Sequence, residues 1–515
     1  MAVRVWFLTA FAVALVVAGS AAAALLAWPK VGIAASSSGL ATVSLPGFAG
    51  DVEKVSVTGP DGKPLPVALN HGVVWPHVRL PAGARVTMKV EVRRPGWIGW
   101  LVGHHAERTV TIVTPVAHIR STLLRPRRGS AVTVRFAEPV SRVTVGHRRL
   151  KGLGGGRTVV PLGVVASRAA VAGTLAVSAA ARRWETLSVP VRVSWFVVGA
   201  RTRIVSDPAA GGRLRPRSSL TLTFARPVAD VLGSRLPRLV PATRGRWKQL
   251  DRNTLSFEPA GFGFALDSTV HVRLPGQSLA WHVAGGSTLR LQELLARAGY
   301  LPLRWQAAAA PPSTPAAEVS AAVSAPKGTF TWRFPKTPVS LRTLWKPGSW
   351  SVIMEGAVMR FQQAHGLATD GVPGPVVWRA LLRDDLAGRR LNAGYSYVFV
   401  HENVPQSLSL WHNGRVIVTS PGNTGIASAP TAQGTWPVFE HIPVGTMSGT
   451  NPDGSHYNDP GIRWISYFHG GDALHAFPRA SFGTPQSLGC VELPEDAAAR
   501  VWPYTPIGTL VTIES

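Results

Sequence analysis

Cysteine is nearly absent: one residue, Cys490, in 515. A lone thiol can form no intramolecular disulfide, so a disulfide-stapled scaffold is excluded and the cores must hold by apolar burial. Acidic residues are also scarce, 27 against 54 Lys and Arg, for a net charge of +27. That balance favours a partner of negative charge, such as an acidic cell-wall polymer or an anionic membrane surface. No basic block reaches five or six like charges, and neither zinc-finger spacing nor an RNA-recognition signature occurs. A nucleic-acid partner is therefore not expected. Long apolar runs are missing too, with one exception.

The exception is Val5 to Trp28, 24 positions without a charge after Met-Ala-Val-Arg. At about 1.5 Å per residue this spans roughly 30 Å of hydrocarbon. Residues 1–30 are expected to be a transmembrane signal anchor, single-pass, with the bulk of the chain outside the cytoplasm. In an oxidising space a stray thiol is a liability, which turns attention to the neighbours of Cys490.

Between anchor and cysteine the period of the apolar residues changes twice. Short alternating segments such as Val132-Thr-Val-Arg-Phe136 and Val270-His-Val-Arg-Leu274 dominate to about Pro275. Two lie in an internal repeat, LRPRRGSAVTVRFAEPV from Leu124 and LRPRSSLTLTFARPV from Leu214, about 90 positions apart. The spacing predicts three tandem all-β sandwiches, at 39–115, 116–195 and 196–285, which resemble bacterial immunoglobulin-like domains. A stalk is their simplest role, and carbohydrate binding the alternative.

Helical spacing follows at Leu291, Leu294 and Leu295, at Val358 and Phe361, and at Trp378, Leu381 and Leu382. The stretches LRLQELLARAGYLP (289–302) and AVMRFQQAHGLATDGVPGPVVWRALL (357–382) resemble the three-helix peptidoglycan-binding module. That small α-helical module is placed at 286–392. Gln362, Asp370 and Trp378 are its wall-binding candidates, although aromatics at helical spacing commonly serve the core. Its insert, with the low-complexity run AAAAPPSTPAAEVSAAVSAP, is expected to be a flexible loop.

Strand patterns return from Tyr395, and a β-rich domain at 394–515 carries the cysteine in QSLGCVEL. Thiol catalysis needs a thiolate, a base to make it and donors for an oxyanion. His475 stands 15 residues before Cys490, far enough for the chain to turn back on itself. An imidazolium beside the sulfur would lower the thiol pKa. Gly489 leaves its own and the Cys490 N–H uncovered for an oxyanion, and Ser487 fits a supporting hydrogen-bond role. His469, Asp472 and His475 fall short of a metal site for want of a further ligand, so no metal or cofactor is expected.

With LWHNGRVIVTSPGNTG (410–425) and APTAQGTWPV (429–438), the pattern His475-Ala476 and Ser487-Leu488-Gly489-Cys490 resembles the L,D-transpeptidase, or YkuD-like, catalytic domain. The resemblance implies that Cys490 is the nucleophile and His475 the general base and acid. It implies 3→3 cross-linking of peptidoglycan stem peptides. His469, Asp472, Leu488 and Glu492 become substrate-binding candidates. Two positions depart from the family: Leu488 replaces a histidine, and Glu492 an arginine. The alternatives are a wall-binding scaffold with a degenerate transferase domain, or a thiol L,D-carboxypeptidase that uses water.

Overall fold

The computed structural model describes residues 19–20 and 30–515 except 48, and only the backbone of 101–102. No helix among the described residues is long and apolar enough to cross a membrane. The span expected over 5–28 lies outside them, apart from residues 19 and 20, which are helical.

The chain divides into two compact units, the first ending at Ser206 apart from a short return at 223–225. In the first unit, two four-stranded sheets enclose one apolar cluster that includes Val74, Val86, Met88 and Val90. A two-stranded and a five-stranded sheet enclose a second, around Val132, Val134 and Phe136. Trp184 from the second layer pair reaches the first cluster, and its Nε1–H donates to the Ser38 carbonyl at 2.8 Å. The internal repeat is structural as well as textual. Leu124 sits in a short edge strand parallel to Val191–Phe196, and Leu214 in one parallel to Gln277–Val283.

In the second unit the helices form where capping residues precede apolar faces. Ser287 Oγ accepts the Arg290 N–H to start Thr288–Arg297, and Gly374 with Pro375 opens Pro375–Ala387. Between them lies Val352–Ala364. The insert, expected to be a flexible loop, is instead built into the module. Leu303–Ala307 pairs with Gly328–Trp332, and Pro315–Ala322 is a helix capped by Thr314. That helix buries Val319 and Ala322 in the core, and its Glu318 lies fully buried against Arg290 at 2.6 Å. Composition misled here because alanine suits a packed helix as readily as a loose linker.

The same apolar cluster continues into the C-terminal domain through Tyr397, Trp411 and Leu510. Gly356 on the helix and Gly508 before the last strand meet backbone to backbone, with no room for a Cβ on either. The C-terminal domain has two sheets. One runs Arg415–Pro421, Ser407–His412, Ser396–His401, Leu510–Glu514, Gly434–Pro437. The other runs Glu440–Thr450, His456–His469, Asp472–Ala476, Val491–Leu493. Val398, Phe468, Leu474 and Val491 belong to the core they share.

Candidate active site

The strands Asp472–Ala476 and Val491–Leu493 pair in parallel, with Leu474 opposite Val491 and His475 opposite Glu492. A parallel pair needs a crossover, and residues 477–490 supply it. This crossover delivers Cys490 to the start of one strand while His475 stands in its neighbour. Buried Asn423 fixes the loop: its Oδ1 accepts the Gly483 N–H at 2.9 Å. The Thr424 carbonyl accepts the N–H groups of Gln486 and Ser487 at 2.9 and 3.0 Å. The turn PGNTG thus clamps the cysteine loop.

Ser487 Oγ–H donates to the Cys490 carbonyl at 2.6 Å and accepts the Gly489 N–H at 3.3 Å. It ties the loop to itself. This tie corrects one expectation, because the Gly489 N–H is already engaged. Of the two proposed oxyanion donors, only the Cys490 N–H has no partner among the described residues. Gly489 is required for another reason: its φ is +118°, and a Cβ there would run into Asp472 Oδ1.

Burial pushes the Cys490 thiol up to about 12, helped by the charges of Asp472 and Glu492 and opposed by a hydrogen bond from the Ala473 amide. His475, 3% exposed, is pushed down by burial. Its Nδ1 lies 2.9 Å from the Ala476 carbonyl, which can only accept, so Nδ1 carries the proton and Nε2 is the free base. The thiol donates to the Gly471 carbonyl at 3.6 Å. The resting pair is therefore neutral thiol and neutral imidazole, rather than the ion pair expected from sequence.

Cys490 and His475 line a cleft of about 580 Å³ together with Asp472, Leu488 and Glu492. His469 does not line it; its ring packs on Trp436 at 4.3 Å and its Nδ1 lies 3.5 Å from Asp472 Oδ2. Tyr457 and Asp459 enter the cleft from the long hairpin of Glu440–Thr450 and His456–His469, and sequence reasoning missed both. The turn signal NPDGS at 451–455 marks that hairpin and would have located them. Also missed was Arg479. Its Nε and Nη2 grip both oxygens of buried Glu492 at 2.8 and 2.7 Å, and Nη2 also donates to the Gln486 carbonyl. The charge at Glu492 is thereby cancelled within the cleft wall.

Residues 396–513 match the family model of the L,D-transpeptidase catalytic domain. Residues 346–381 match that of a putative peptidoglycan-binding domain. Among solved structures, similar chains include an L,D-transpeptidase from Mycobacterium smegmatis, 14% identical over 61% of this chain and 100% of that one, with a TM-score of 0.22. L,D-transpeptidase 3 from Mycobacterium tuberculosis with a faropenem-derived adduct is 11% identical over 60% and 97%, with a TM-score of 0.22. The catalytic domain of the Enterococcus faecium L,D-transpeptidase is 21% identical over 24% and 100%, again with a TM-score of 0.22. No curated protein matches the chain.

The matched catalytic domain therefore carries its cysteine and histidine in one cleft. In the peptidoglycan-binding match, two of the three wall-binding candidates face inward. Gln362 is 2% exposed, and its amide holds Asp370 Oδ1 at 2.6 Å, the Val372 carbonyl at 3.1 Å and the Gly371 N–H at 2.9 Å. Trp378 is buried against Gly286. Asp370 alone is exposed; hydrogen bonds from Val372 and Gln362 hold its carboxyl below the usual range.

Proposed function

We propose that the chain is a cysteine-dependent L,D-transpeptidase that forms 3→3 cross-links in peptidoglycan. The observation that carries this reading is that His475 on one of two parallel strands and Cys490 just before the other line one cleft, inside the matched catalytic domain. A tetrapeptide stem would bind with the carbonyl of its third residue at Cys490. His475 Nε2 takes the thiol proton as sulfur attacks, because burial holds the resting thiol neutral. The oxyanion forms beside the Cys490 N–H. Its collapse breaks the C–N bond, the imidazolium protonates the departing D-Ala amine, and a thioester remains. An amine of a second stem, deprotonated by His475, then attacks the thioester and releases the thiol.

Arg479 cancels the charge of Glu492 and keeps a donor in reserve. It is 30% exposed, and its Nη1 has no partner among the described residues. A stem carboxylate entering the cleft meets that guanidinium. The compartment that fits this chemistry is the cell wall, with residues 5–28 as the membrane anchor.

The test is incubation of the protein with purified disaccharide tetrapeptide, with products resolved by mass. A dimer lacking one D-Ala, together with a thioester on wild type that is absent from Cys490→Ser, is the expected result. Free D-Ala without dimer would make the protein a carboxypeptidase, and no adduct on an alkylatable thiol would make the domain a scaffold.

A further inference from the structure

The insert that was expected to be loose builds a second cleft, outside the residues that match the transpeptidase domain. Its hairpin, Leu303–Ala307 with Gly328–Trp332, stands beside the end of the helix Thr288–Arg297 and the segment 390–392. Together they enclose about 520 Å³. Four arginines line it, Arg297, Arg304, Arg333 and Arg390, with Trp305 among them and no acidic residue.

Arg297 is engaged, with Glu293 at 3.5 Å and Asp385 at 3.1 Å. The other three have no carboxylate within ion-pair distance among the described residues. Arg333 is half-buried with its guanidinium 5.2 Å from the Phe334 ring. Burial and the charge of Arg304 hold it below the ordinary arginine range. Gathering like charges around a concave surface opposes folding, and no carboxylate ion-pairs with Arg304, Arg333 or Arg390 among the described residues to offset it. An anionic ligand would.

We infer that this cleft binds a glycosyl phosphate, a sugar bearing a phosphomonoester with three free oxygens and close to two negative charges. The charge count selects phosphate over carboxylate. One guanidinium satisfies both oxygens of a carboxylate through its fork, which would leave the other two arginines without a partner. A phosphate offers more acceptors and more charge, and can engage three. Trp305, partly exposed and packed on Phe330 at 4.7 Å, presents a braced apolar ring on which a sugar can lie. The inference needs no transpeptidase activity, since none of these residues belongs to the catalytic cleft.

Calorimetric titration of the intact protein in detergent at 0.15 M salt tests it, with N-acetylglucosamine 1-phosphate, N-acetylglucosamine and inorganic phosphate as probes. The sugar phosphate should bind about tenfold or more tightly than inorganic phosphate, and the neutral sugar should give no heat. Arg304→Ala with Arg390→Ala removes two exposed side chains and should weaken the sugar phosphate about tenfold or more, the loss expected of a charge-assisted contact. Arg127→Ala with Arg128→Ala, exposed in the other unit, should change nothing. Unchanged affinity in the Arg304/Arg390 variant overturns the site. Equal loss in the Arg127/Arg128 variant shows diffuse attraction to a +27 chain and overturns it too. Inorganic phosphate binding as tightly as the sugar phosphate overturns the glycosyl assignment. Cys490→Ala should bind normally, so failure here and failure of the transpeptidase reading are separate results.

Discussion

At Cys490 and His475 the two pKa shifts run in opposite directions from the same cause, since burial disfavours whichever form is charged. The sign for catalysis follows. His475 must be neutral to act as base, and its lowered pKa keeps it neutral at pH 6.5 and above, so kcat/KM for acylation should fall only on the acid side of that value. The thiol, raised to about 12, contributes no rise between pH 7 and 9. A stopped-flow profile that climbs tenfold per pH unit through 7 to 9 would show reaction through a free thiolate instead. Glu492 makes a second test. Glu492→Ala strips Arg479 of both forked hydrogen bonds and should cost roughly 2 kcal/mol, less than for a fully buried pair because Arg479 keeps some solvent. Arg479→Glu with Glu492→Arg should recover part of that stability while moving the positive charge along the cleft, read as a change in KM for the tetrapeptide. A double variant no more stable than the single one sinks the pairing argument.

The element that matters most to the module is the short helix Pro315–Ala322, whose charged residue is as buried as any in it. Two guanidiniums, Arg290 and Arg297, face three carboxylates, Glu293, Glu318 and Asp385. Glu318 Oε1 and Asp385 Oδ2 have no hydrogen-bond donor, and a proton on the raised Glu318 carboxyl supplies one. Burial, with Asp385 alongside, raises Glu318 to about 7. The folded state therefore keeps a proton that the unfolded chain has released. Stability is full below about pH 4.5, falls as pH rises through 7, and is flat above. Hydrogen exchange of this helix in the intact chain should quicken between about pH 4.5 and 7 and level off above, after correction for intrinsic rates, and Glu318→Gln should remove that dependence. The sequence carried the cue in Thr314-Pro315 followed by Glu318, a cap, a first-turn proline and an early acid, but low complexity outweighed it. The outer strands of the catalytic domain were legible because Val, Ile and Leu recur in them. The long hairpin was not, since Glu440–Thr450 is mostly exposed or half-exposed and carries little apolar signal. Likewise the cysteine and histidine were legible from spacing, whereas Arg479 becomes visible only once the crossover folds back on Glu492.

On the scale of the molecule, the binding module and the transpeptidase domain are one folding body. Tyr397, Trp411 and Leu510 complete the module's core, and Trp411 Nε1–H donates to the Lys336 carbonyl at 3.0 Å. Residues 394–515 expressed alone should lack a cooperative thermal transition or melt far below the same residues in the intact chain. A fragment as stable as the intact domain would refute the shared core. The solitary cysteine has a further meaning for the life of such a chain outside the cytoplasm. A thiol raised to about 12 exposes about one thiolate in 10⁵ at neutral pH. Peroxide and disulfides attack or accept thiolates, so the resting protein ages slowly. Its vulnerability begins when His475 draws off the proton, and substrate normally occupies the cleft at that moment. Peroxide inactivation of the free protein should be slow at pH 7 and quicken as pH rises, with loss of activity tracking oxidation at one residue by mass. With no second thiol in the chain to form an internal disulfide, rescue from each such event depends on a thiol supplied from outside the molecule.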